Sequence, residues 1–157
     1  MQHTISVLVE NKFGVLTRVA GLFSGRGYNI HSLNVAPTQD LNTSHMTIVT
    51  RGDDATIEQI VKQLQKLINV LVVHDFGQED FVDRELIMVK VTVNSQTRAE
   101  VMQITGIFRG KIVDAQRDSL TIEITGNASK VEKFIELMQA FGVMDLTRTG
   151  RVALPRQ

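Results

Sequence analysis

Apolar and polar positions change period along this chain in a way that marks out its elements. Residues 4–10 (TISVLVE) read as a strand. From Val15 the apolar positions fall at Val15, Leu16, Val19, Ala20, Leu22 and Phe23, which is helical spacing with one buried face, and Gly25 and Gly27 offer a left-handed stop. Residues 28–37 and 44–50 are extended segments joined by a polar turn at 38–43. Asp53 and Asp54 are placed to cap a second helix carrying Ile57, Ile60, Val61, Leu64, Leu67 and Ile68, and residues 70–76 make a fourth strand.

The same order then recurs. Residues 77–80 (GQED) are polar, and the spacing predicts a linker over 78–83 between domains at 1–77 and 84–157. Residues 86–93 form a strand, and residues 98–109 a helix with Val101, Ile104, Ile107 and Phe108 on one side. Residues 111–116 and 120–125 are strands, the second alternating Leu120, Ile122 and Ile124 with Thr121, Glu123 and Thr125. Ser129 and Glu132 have capping-box spacing ahead of Val131, Phe134, Ile135, Met138 and Phe141; Gly142 ends that helix and residues 143–147 close the unit. The order β-α-β-β-α-β, twice, predicts an α+β chain of two ferredoxin-like domains. Each would bury one sheet face under two helices and leave the other face free to pair with another sheet or subunit.

Composition narrows the partners. Lys plus Arg is 17 and Asp plus Glu is 17, a formal net charge of zero, which argues against a general nucleic-acid binder because displacing counterions needs a basic surface. There is no cysteine, hence no disulfide, thiolate metal site or cysteine nucleophile. The longest apolar runs, 70–73 and 86–89, are far too short to span a bilayer. The opening MQHTISVLVE has neither a basic leader nor a cleavable apolar stretch, so the expected location is the cytoplasm.

A catalytic constellation is hard to find. His3, His31, His45 and His74 lack metal-ligand spacing and are expected to be surface or half-buried residues. Ser24-Gly25-Arg26-Gly27 follows a helix instead of a strand, so it reads as a helix stop and not a dinucleotide loop. What stands out is the strand-to-helix turn at Gly14. The first backbone N–H groups of the helix, near Val15 and Leu16, have no internal partners and suit a carboxylate. Glycine allows close approach, and an asparagine amide is both donor and acceptor without net charge. Asn11 before the turn and Asn29 at the start of the next strand could both reach a zwitterion there; the alternative is an ordinary tight turn with Asn in its usual role.

The run N-x-x-G-V-L-x-R-V-A-G-L-F after the first strand, with R-G-Y-N-I-x-S-L and V-A-P, resembles an ACT domain. With M-T-I-V-T-R-G-D, D-R-E-L-I-M-V-K-V, F-R-G-K-I-V-D, T-G-N-A-S-K-V-E-K-F and R-T-G-R-V-A-L, nearly the whole chain is similar to the small regulatory subunits of acetolactate synthase. The resemblance implies a homodimer joined through its ACT domains, with valine or another branched-chain amino acid at the seam. Asn11, Gly14, Val15 and Leu16 of one chain would line that site, with Asn29 and Ile30 from the other. It implies no catalytic residues and no cofactor in this chain. Its partner would be a large catalytic subunit carrying thiamine diphosphate, Mg²⁺ and FAD, which the small subunit activates and makes inhibitable. Arg98, Arg109, Lys111 and Arg117 are candidates for contact with that subunit or simply a solvated face. The rival readings are a free-standing ACT sensor or transcriptional regulator, which lacks a visible DNA-binding segment, and an independent small enzyme.

Overall fold

The computed structural model describes residues 2–157, which fall into two compact units: residues up to Val82 together with Arg151–Gln157, and Asp83–Gly150. In the first, strands β1 (Gln2–Glu10), β2 (Ile30–Pro37), β3 (Thr43–Arg51) and β4 (Val70–Asp75) form an antiparallel sheet in the order β2-β3-β1-β4. Alternation dictates its inner face: Ile5, Val7 and Val9 are at most 1% exposed, and Ile5 and Val7 lie opposite Ile48 and Met46. Helices α1 (Val15–Gly25) and α2 (Asp54–Gln65) cover that face with Val15, Val19 and Phe23, and with Ile57, Ile60 and Leu64. The Asp53 carboxylate caps α2 by accepting the Thr56 N–H at 2.8 Å, a bond that holds its pKa below the ordinary value.

The second unit repeats the topology. β5 (Phe81–Thr92) starts in the first unit and becomes a central strand of the second, with β6 (Lys111–Ala115), β7 (Ser119–Gly126) and β8 (Val143–Arg148) in the order β6-β7-β5-β8. Ile87, Val89, Val91, Leu120, Ile122 and Ile124 pack under α3 (Arg98–Ile107) and α4 (Ala128–Gln139), whose Val101, Val131, Phe134 and Met138 are fully buried.

Several expectations are corrected. The predicted 78–83 linker is half strand, because Phe81 and Val82 already belong to β5 and Phe81 stacks on Phe76 at 4.7 Å. A ninth strand, β9 (Val152–Pro155), pairs with β5, and its segment belongs to the first unit, where Arg151 donates to Thr4 Oγ1 at 2.8 Å. On the outer face of the first sheet Thr4, Thr47 and Val49 are buried. Asn127, not Ser129, caps α4, accepting the Lys130 N–H at 3.0 Å, while Glu132 turns to Arg148 at 2.8 Å. Ile68 and Ile107 stand exposed: Ile68 falls in the turn after α2, and on α3 it is Thr105 that faces inward, bonded to the Val101 carbonyl. Arg109, beyond α3, has φ 57°, and Gly110 follows where a Cβ would strike Ile124 at 2.3 Å.

Candidate functional site

The Gly14 turn is built by three loops tied together at the end of β1. Glu10 N–H donates to the Asn69 carbonyl at 2.9 Å, Asn11 N–H to the Asn42 carbonyl at 2.8 Å, and Asn11 Nδ2 to the Leu41 carbonyl at 2.8 Å. The Asn11 side chain thus uses one donor on the β2–β3 turn. Gly14 then takes φ 85°, a left-handed conformation in which glycine is favoured, with open space where a Cβ would stand. Helix α1 has no side-chain cap, unlike α2 and α4, and no acidic residue in its first turn, unlike α2 and α3. Its first α-helical bond runs from the Arg18 N–H to the Gly14 carbonyl at 3.0 Å; the amides of Leu16 and Thr17 before it have no helix carbonyl to reach. The positive end of the helix is left for an outside acceptor.

Of the predicted site residues, Asn11, Gly14, Val15 and Leu16 come together here. Val15 is buried in the core and can contribute only its backbone, whereas Leu16 is 45% exposed beside the turn. Asn29 and Ile30 do not join them within one chain. Ile30 lies opposite Thr50, and Thr50 opposite His3, at the start of β1; Asn11 follows the end of that strand, about 25 Å away at the rise of an extended chain. The Asn29 carbonyl accepts Thr50 Oγ1 at 2.5 Å, and the residue is exposed.

A polar network flanking the turn was not legible from the sequence. Asn69 is buried at 9% exposure; its Nδ2 donates to Glu10 Oε2 at 2.8 Å and its Oδ1 accepts from Arg18 Nη1. Lys12 Nζ sits 3.1 Å from Glu10 Oε2. The Asn69 hydrogen bond first, then Lys12, holds the Glu10 carboxyl below its ordinary range.

The histidines do not converge. His45 Nε2 lies 2.5 Å from Ser6 Oγ, with burial lowering its pKa, and His74 meets Glu79 at 2.8 Å. His3 is buried rather than surface or half-buried, because α2 covers the start of β1; its ring nitrogens lack hydrogen-bond partners and face Asp75 and Asp54 at 3.7 and 3.8 Å. It borders a cavity of about 450 Å³ that includes no residue of the Gly14 turn. Among the described residues no group of three or more His, Asp or Glu could hold a metal ion, and no helix is long and apolar enough to cross a membrane.

The β-α-β-β-α-β unit of the first half is that of an ACT domain: residues 5–72 match the family described as AHAS small subunit-like ACT domain. Residues 84–157 match the small subunit of acetolactate synthase, so the chain belongs to the acetolactate synthase small-subunit family. It is 51% identical to a probable acetolactate synthase small subunit of Archaeoglobus fulgidus, over 99% of this chain and 98% of that one. It is 48% identical to the acetolactate synthase small subunit of Aquifex aeolicus, over 99% and 82%. The crystal structure of the Thermotoga maritima small subunit superposes with a TM-score of 0.90 at 42% identity, covering 100% of this chain and 98% of that one.

Proposed function

We propose that this chain is the regulatory subunit of a cytoplasmic acetolactate synthase. It binds valine or another branched-chain amino acid at a seam between two ACT domains, and so makes the catalytic large subunit both more active and feedback-inhibitable. The observation that carries this reading is the position of β2. It is the edge of its sheet, and its sequence IHSLNVAP holds no Lys, Arg, Asp or Glu to discourage pairing. Antiparallel pairing of β2 with its copy sets the Ile30 end of one strand beside the Pro37 end of the other, next to the β2–β3 turn whose carbonyls hold Asn11. A second copy then supplies the Asn29 and Ile30 that one chain cannot.

In that seam the amides of Leu16 and Thr17 receive the α-carboxylate, and the carboxamides of Asn11 and the partner's Asn29 flank the ammonium group without adding charge. An apolar wall discriminates one methylene by about 1–3 kcal/mol, so valine, isoleucine and leucine bind with graded affinity. Because one ligand touches both chains, it favours one arrangement of the dimer; a coupling of roughly 1–3 kcal/mol to the large subunit suffices for regulation. Thiamine diphosphate, Mg²⁺ and FAD belong to that subunit, and this chain performs no chemical step. Reconstitution with the large subunit, with and without valine, tests the reading: activity rises on adding this chain and falls again with valine. A chain that binds valine but has no affinity for the large subunit would instead be a free-standing sensor.

A further inference from the structure

We infer that Asn69 is the positioning residue of the effector turn, an inference that rests on the effector site proposed above. Asn69 lies in the α2–β4 turn, remote in sequence, yet every polar group of its carboxamide faces a flank of the Gly14 turn. Nδ2 donates to Glu10, the residue before Asn11, and Oδ1 accepts from Arg18, the residue whose N–H closes the first bond of α1 on the Gly14 carbonyl. The Asn69 backbone carbonyl holds the Glu10 N–H as well. One buried planar group therefore grips the entry and the exit of the turn together.

A carboxamide suits both contacts because it donates and accepts at once without charge. Aspartate offers acceptors alone and leucine offers neither donor nor acceptor. The grip also places the charges: Glu10 is matched by Lys12, and Arg18 is held on Asn69 beside the turn. Fixing the Leu16 and Thr17 amides in advance removes an ordering cost from effector binding.

Calorimetry with valine on the full chain, well below the melting temperature of each variant, tests this. Asn69→Ala weakens binding by about tenfold or more, and Arg18→Met, an exposed position that leaves the core intact, weakens it severalfold. Asn69→Asp weakens it at pH 7, where two carboxylates face each other across the Glu10 contact. Its affinity recovers as the pH falls, because such a pair holds one shared proton that restores the bond. If the wild-type chain binds valine and Gly14→Asp does not, but the Asn69 and Arg18 variants bind like wild type with only a lower melting temperature, Asn69 is a packing residue and the inference is wrong. If the wild-type chain shows no valine binding at all, the effector site itself is wrong.

Discussion

At Gly14, backbone strain and charge can be separated by two substitutions. Open space surrounds the missing Cβ, so Gly14→Ala meets only the cost of φ 85°, about 1–2 kcal/mol, and keeps the helix end free of charge. Gly14→Asp adds the same strain plus a carboxylate where the proposed effector's own carboxylate would sit. The expected result by calorimetry is weakened but measurable valine binding for Gly14→Ala and a loss of more than about tenfold beyond that for Gly14→Asp. Glu10 supplies a pH test. Its carboxyl is lowered from 4.5, so its contribution to the turn is complete above 4.5 and is lost as the pH falls through the lower folded value. The carboxyl carbon of Glu10 should titrate with a midpoint below 4.5 by NMR, and Asn69→Ala should move that midpoint up.

The elements show what a binary pattern reveals and what it hides. β1, α1, β3, α2, β7 and α4 were legible because one face of each is apolar at the period of its structure, as in Ile5-Val7-Val9 and Val131-Phe134-Ile135-Met138. β9 was not, being four residues ending in proline, and the start of β5 was hidden behind the charged Asp83-Arg84-Glu85. In the candidate site the turn itself was readable from Gly14 and the unfilled helix start. Asn69 was not, because its partners Glu10 and Arg18 lie 59 and 51 residues away and only strand register unites them. The α4 cap gives a stability test of one such correction. Asn127→Ala should cost about 1 kcal/mol in denaturant unfolding, whereas Ser129→Ala, inside the helix, should cost little. β2 gives a second: Val35→Lys on the exposed edge should shift the chain from dimer toward monomer in sedimentation analysis and weaken valine binding with it.

At the scale of the whole molecule, the proposed effector site is one that neither chain completes alone. In the fold of one chain, Asn11 and Asn29 stand at opposite ends of the sheet, and the proposed antiparallel seam along β2 would bring them together. In the proposed function, regulation of the large subunit would follow from that seam, since a ligand held by two chains reports on how they are arranged. Complementation between two defective chains tests it most directly. Asn11→Ala and Asn29→Ala are each prepared as homodimers that bind valine poorly, then mixed and allowed to exchange subunits, and titrated with valine by calorimetry. The account predicts that each hybrid dimer regains one wild-type site, built from the Asn11 of one chain and the Asn29 of the other. If exchange is complete and no binding returns, the two asparagines do not share a site across the seam.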